Sequence, residues 1–153
     1  MILPATRSQT MKNKPMTGPL EGFRVLELTT MITGPLAGML LADLGADVIK
    51  VENPDGGDPF RSFQGGLYSP HFIVTNRNKR SLTINLRSTE GRDIVLKLAA
   101  WADVLIENFR PGVMDRLGLN AKVLADTNPR LIYCSITGFG ETGPYAHRQL
   151  TTP

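Results

Sequence analysis

The stretch Arg24-Val-Leu-Glu-Leu28, followed by Pro35 to Leu44 and then Asp47-Val-Ile-Lys-Val-Glu52, decides how this chain folds. The outer pieces are short runs rich in Val, Ile and Leu, the composition of strands buried on both faces. Between them Leu36, Leu40 and Leu44 recur on one helical stripe, with Ala37 and Leu41 beside it. Pro35 suits the first helical position and Gly45 the C-terminal cap. A strand, a helix and a strand of these lengths make one crossover unit, right-handed, with parallel strands.

The same alternation continues downstream. Asn53 to Ser69 carries Pro54, Gly56-Gly57 and Gly65-Gly66, and reads as an irregular excursion too long for a plain connection. Tyr68 to Val74 reads as a short helix and Ser81-Leu-Thr-Ile-Asn-Leu86 as a strand. Ser88 caps a helix expected over Thr89 to Ala100, with Ile94, Val95 and Leu98 turned inward. Asp103-Val-Leu-Ile106 is a fourth strand, Val113–Leu117 and Ala121–Asp126 are short helices, and Leu131 to Ile136 is a fifth strand. The expected fold class is α/β, an open, mostly parallel Rossmann-like sheet flanked by helices.

Composition narrows the function. At 153 residues the chain is one domain's worth, and 41% apolar with 20% charged residues is ordinary for a globular protein. No apolar run approaches the ~18 residues of a membrane helix. Cys134 is the single cysteine, which builds no disulfide framework and fits a reducing compartment. The formal charge of +3 lies in the N-terminal tail, where Arg7, Lys12 and Lys14 meet no acid, so the body is formally neutral and carries no nucleic-acid footprint. Residues 1–19 read as a disordered basic tail, with Met11 and Met16 as alternative starts. A cytoplasmic location is expected, or a mitochondrial one if that tail is a presequence.

In parallel α/β sheets ligands bind at the carboxyl ends of the strands. That rule selects Thr29–Pro35, Glu52–Asp58, Glu107–Gly112 and Thr137–Gly143, each with glycine or proline beside polar groups. Glu52 stands where a dinucleotide enzyme holds a ribose hydroxyl, but the loop Thr29-Thr-Met-Ile-Thr-Gly34-Pro35 is not G-x-G-x-x-G, and Met31 and Ile32 fill the approach. A strand-end glutamate is commonly just solvated. Arg77, Lys79 and Arg80 precede the third strand, Arg87 follows it, and Arg110 and Arg116 flank the fourth strand's loop. Such a group either holds phosphates or is a solvated edge balanced by acids. Cys134 reads as a small core residue, and His71 and His147 have no metal-ligand spacing.

Longer motifs add to these readings. Leu20-Glu-Gly-Phe-Arg-Val-Leu-Glu-Leu28, Gly34-Pro35, Leu41-Ala-Asp-Leu-Gly-Ala-Asp-Val-Ile-Lys-Val-Glu52, Gly57-Asp58 and Asn76-Arg-Asn-Lys-Arg-Ser81 occur in order. They are followed by Ala102-Asp-Val-Leu-Ile-Glu-Asn-Phe-Arg-Pro-Gly112, Asp115-Arg-Leu-Gly118 and Gly138-Phe-Gly-Glu-Thr-Gly-Pro-Tyr145. Together, from Leu20 to Arg148, they resemble the opening of the family III CoA-transferases, the CaiB/BaiF family, which includes formyl-CoA and carnitine-CoA transferases and α-methylacyl-CoA racemases.

The resemblance implies a CoA-binding α/β domain over residues 20–148, acyl-CoA and a carboxylic acid as substrates, no metal and an interlocked homodimer. It implies that Ile32 and Thr33 line the thioester end, that Asn85, Leu86, Arg87 and Ser88 with Asn108, Phe109 and Arg110 contact the nucleotide, and that Arg116 meets a phosphate. The chain departs from the family in two places. Ile32 stands where some transferases have a glutamine, and Asn53 where some have an arginine. The family's nucleophile, an aspartate that forms acyl-anhydride and CoA-thioester intermediates, is implied to lie beyond Pro153. Gln149-Leu-Thr-Thr-Pro153 replaces the family's usual continuation and reads as a truncation or a shifted frame. Three readings stay open: a transferase fragment inactive alone, a racemase fragment, and a non-catalytic CoA-binding module.

Overall fold

The computed structural model describes residues 18–63, 65, 68–146 and 148. The expected tail up to residue 17, His147 and the segment 149–153 lie outside them. Five strands, β1 (Arg24–Leu28), β2 (Asp47–Glu52), β3 (Arg80–Thr83), β4 (Val104–Glu107) and β5 (Ile132–Ser135), form one sheet in the order β3-β2-β1-β4-β5. Every pairing is parallel. The helices are α1 (Thr33–Asp43), α2 (Pro70–Asn76), α3 (Thr89–Trp101), α4 (Val113–Arg116) and α5 (Ala121–Thr127). The excursion after β2 contains a 3-10 turn, Pro59–Arg61, capped by Asp58.

Alternation along the strands divides the core. Leu26 and Leu28 of β1, Val51 of β2 and Leu105 of β4 join Val95, Ala99, Met114, Leu119 and Leu124 in one cluster beneath α3, α4 and α5. The residues between them, Val25, Val48 and Ile106, meet Ala42 and Ala46 in a smaller cluster under α1. Glu27 and Lys50, opposite each other in the β1–β2 register, share that α1 face and are fully buried. Ser88 caps α3 by accepting from Gly91 N, as expected. Val95 packs inward, whereas Ile94 is exposed.

The largest departure concerns α1. Its leucine stripe does not face the sheet: Leu36, Leu40 and Leu44 are 41%, 53% and 45% exposed. Gly34, Gly38 and Ala42, four residues apart, form the packing face instead. The reason is steric. A Cβ on Gly34 would run into the Thr29 side chain, and one on Gly38 into Glu27 Oε2. Only a helix face without side chains lies this close to a strand carrying buried polar groups. Cys134 differs too: β5 is a sheet edge, and its thiol is exposed rather than in the core.

Gly38→Ala should therefore cost about 3 kcal/mol, the upper range for overpacking, because the methyl meets a carboxylate already bound to a lysine. Urea unfolding of the two chains checks this; equal midpoints would refute the close-packed face.

Candidate functional site

The strand order reverses at β1, whose two neighbours β2 and β4 are reached by connections running in opposite directions along the sheet. The crevice at the carboxyl ends of β1 and β4 is the topological switch point, where parallel α/β sheets receive ligands. A cleft of about 520 Å³ lies there, walled by Thr30, Met31, Ile32 and Thr33 after β1 and by Asn108 to Pro111 after β4. Ile136, Thr137 and Gly138 after β5 close its third side.

Two devices shape this cleft. Asn108 joins the loops after β1 and β4: its Oδ1 accepts from Thr30 N and its Nδ2 donates to Thr30 O, both at 2.9 Å. Asp58 holds the next residue, accepting from Met31 N at 3.1 Å and Phe60 N at 2.9 Å through the same Oδ1. Met31 has φ of 68°, a left-handed conformation that is uncommon for a side chain of its kind.

Beneath the loop lies a buried charged cluster. Lys50 Nζ is 2.9 Å from Asp58 Oδ2, 3.1 Å from Glu27 Oε1 and donates to Thr29 O at 2.9 Å. Lys79 Nζ is 2.8 Å from the other Glu27 oxygen and donates to Pro35 O and Asn76 Oδ1. Thr29 Oγ1 donates to Glu27 Oε1 at 2.6 Å. Two cations thus meet two carboxylates. Burial pushes the Lys79 ammonium down to about 8 against the pull of Glu27. Sequence reading missed this group. Its signal was a Glu and a Lys in the middle of strands that otherwise read as buried.

Glu52 is neither solvated nor free for a ribose. It is buried and accepts from Arg61 Nε and Nη2 at 2.6 and 2.7 Å, Ser81 Oγ at 2.7 Å and Asp58 N at 3.1 Å. Burial alone would raise its carboxyl, but Arg61, Ser81 and the Asp58 amide outweigh that and bring it down to about 2. The Arg61 guanidinium in turn lies 4.0 Å from the Phe72 ring centroid.

The sequence-predicted residues separate into groups. Ile32, Thr33, Asn108, Phe109 and Arg110 line the cleft together. The Asn108 amide is consumed between loops. Asn85, Leu86, Arg87 and Ser88 lie between β3 and α3, outside this lining; Asn85 Oδ1 accepts from Arg87 N, and Leu86 packs against the same core as Phe109. Asn53, exposed after β2, accepts from Asp55 N. Arg116 is exposed on α4 with Nη1 3.4 Å from where a Cβ on Gly112 would sit, at the lip of the β4 loop.

The basic residues before β3 are balanced: Arg77 pairs with Asp43, Arg80 with Asp47 and Lys79 with Glu27. Arg87, Arg110 and Arg116 make no ion pair among the described residues. A second cleft of about 310 Å³, next to the first, is lined by Glu107, Arg110, Asp115, Tyr133 and Glu141 among others. There Glu107 accepts from Phe109 N and from Tyr133 Oη, whose own proton burial and then Glu107 hold more tightly. Among the described residues no three His, Cys, Asp or Glu side chains stand together as a metal cage, and no helix is long and apolar enough to cross a membrane.

A parallel sheet with this strand order and a cleft at its switch point defines a Rossmann-like α/β domain. The chain belongs to CoA-transferase family III, whose family model matches residues 20–151. It is 50% identical over 84% of its length to a succinate–glutarate CoA-transferase of Agrobacterium fabrum, covering 34% of that protein. It is 49% identical over 92% of its length to an acetyl-CoA:oxalate CoA-transferase of Acetobacter aceti, covering 36% of it. Among solved structures, a CaiB/BaiF family protein from Brucella suis superposes with a TM-score of 0.81 at 50% identity, over 86% of this chain and 36% of that one. The chain therefore spans about a third of the length of the relatives it matches.

The Glu52 carboxyl sits below its ordinary value of 4.5, so its contribution is complete above that value and lost as pH falls toward about 2. That contribution is at most about 3 kcal/mol. Arg61→Met, which keeps an unbranched apolar stem without the guanidinium, should lower stability at neutral pH, and the difference should shrink steadily below about pH 4.5. Urea titrations across the acid range check this; a pH-independent difference would refute it.

Proposed function

We propose that this chain forms the CoA-binding part of an enzyme that moves CoA from an acyl-CoA to a carboxylic acid. The observation that carries the reading is the cleft at the switch point, where Ile32, Thr33, Phe109 and Arg110 come together from loops far apart in sequence. A guanidinium and apolar side chains on one crevice suit a ligand with a charged diphosphate and a long neutral arm. Ile32 and Thr33 would face the thioester, Phe109 and Arg110 the nucleotide, and Arg116 a phosphate at the lip. Asn53 and residues 85–88 would receive the ligand's far end on the β2–β3 side, where the N-terminus of α3 also favours negative charge. Relatives named for succinate, glutarate and oxalate support short dicarboxylic acids as first candidates for the acceptor. The outward leucines of α1 support a further apolar contact, consistent with the homodimer that the family resemblance implies.

The chemistry is proposed to run through an aspartyl intermediate whose aspartate is not among the residues present. Acyl transfer of this kind needs an ionised carboxylate about 3 Å from the thioester carbonyl with oxyanion donors opposite it. The acids at the strand ends are already engaged: Glu52 holds Arg61, Asp58 holds Lys50, and Glu107 holds Phe109 N and Tyr133 Oη. Asp55 and Glu141, also at the strand ends, are exposed.

Arg116→Ala should weaken CoA binding by about 1.5 kcal/mol, near the low end for bonds to charged groups because the side chain is exposed. Calorimetry giving equal affinity would remove Arg116 from the site. The chain by itself should show no transfer above background when incubated with succinyl-CoA and a panel of dicarboxylic acids, since losing the nucleophile of a covalent mechanism costs about 10⁶-fold. New thioesters by mass spectrometry, abolished on changing Asp55 or Glu141, would overturn this.

A further inference from the structure

The buried charged cluster sits directly behind the cleft wall, and one of its members reaches that wall. Asp58 is 1% exposed and lies on the loop after β2, yet it binds the backbone of the loop after β1. Its Oδ2 faces the Lys50 ammonium while Oδ1 accepts from Met31 N and Phe60 N. Its own N–H donates to Glu52, which Arg61 holds in turn. The carboxylate is therefore fixed on both sides before it touches Met31. Lys50 reaches the same loop two residues earlier through Thr29 O. Met31 needs such restraint: a left-handed backbone at a long side chain is less stable than the extended one and persists only where its surroundings impose it.

We propose that Asp58 is a positioning residue for the cleft, its Lys50-held carboxylate fixing the left-handed Met31 turn that sets the wall formed by Met31, Ile32 and Thr33. The proposal rests on the reading of that cleft as the CoA site. Asp58 touches no ligand; it acts through the backbone of Met31. Lys50 keeps the carboxylate aimed, and Glu27 with Lys79 balances the remaining charge.

Substitutions at Asp58 separate acceptor from charge. Asp58→Ala removes both. Asp58→Asn keeps a carbonyl oxygen for the Met31 and Phe60 amides. Lys50→Met/Asp58→Asn also removes one charge of each sign, leaves Glu27 paired with Lys79, and answers the question should Asp58→Ala fail to fold. Two quantities are read on the folded chain: hydrogen exchange of the Met31 and Phe60 amides, with Leu26 and Leu105 as core references, and affinity for CoA by calorimetry. In Asp58→Ala, exchange at Met31 should accelerate while the core references stay protected, and CoA affinity should fall about tenfold. The double variant, which keeps the acceptor and leaves no cation facing the amide, should recover most of both, and Asp58→Asn alone less.

An Asp58→Ala chain with fast Met31 exchange and undiminished CoA affinity would overturn the positioning role. So would unchanged Met31 exchange, or a double variant as impaired as alanine. If the parent chain binds no CoA, the reading of the cleft fails, and the exchange rates alone decide whether Asp58 holds the turn.

Discussion

A lysine ammonium in the interior of a sheet persists only where its charge is answered within hydrogen-bonding reach. Lys50, in the middle of β2, imposes that constraint here. It draws Glu27 from β1, Asp58 from the loop after β2 and the Thr29 carbonyl onto one point, and the second oxygen of Glu27 then requires Lys79. Removing any one member leaves a buried charge unanswered, so the four behave as a unit. The glycines of α1 follow from the same constraint. A helix covering a carboxylate has to present a face without side chains, and the leucines are displaced to its outer side.

The two sheet faces thus divide the work. Under α3, α4 and α5 lies the larger cluster of branched and aliphatic side chains, which supplies most of the apolar burial. Under α1 the apolar cluster is small, and the space toward the strand ends is given to charges. Those charges end at the loop that walls the cleft. Packing on one face holds the sheet, and electrostatics on the other shapes the site.

Much of this was legible in the sequence, and the failures have physical causes. Branched and alternating runs located all five strands; β2 agrees with its expected limits at both ends, while β3 runs Arg80–Thr83 and stops short of the expected Leu86. The strand-end rule selected the loops that line the cleft, because parallel order brings every carboxyl end to one edge. Periodicity failed at α1, since hydrophobicity ranks leucine above glycine as a core residue and cannot anticipate a helix pressed against a carboxylate. It failed again at Cys134, where a strand that reads as buried is an edge. The charge count before β3 was sound, but Asp43, Asp47 and Glu27, which neutralise it, are distant in sequence and near only in the fold. The resemblance to a known family named candidate ligand contacts that composition could not, and among them Asn108 turned out to hold two loops together.

That last contact has a consequence for how the domain comes into being. The Asn108 amide closes on Thr30 across a sequence separation of 78 residues, and the cleft's third side comes later still, after β5. No early part of the chain contains the cleft in miniature. During synthesis the first strand–helix–strand unit can form behind the ribosome, but its loop stays open until β4 has emerged and slipped in beside β1. Closing so long a loop is slow and entropically costly. A molecule that recognises the finished crevice therefore recognises the finished sheet, and by mass action its binding would favour the whole domain over every partly assembled form.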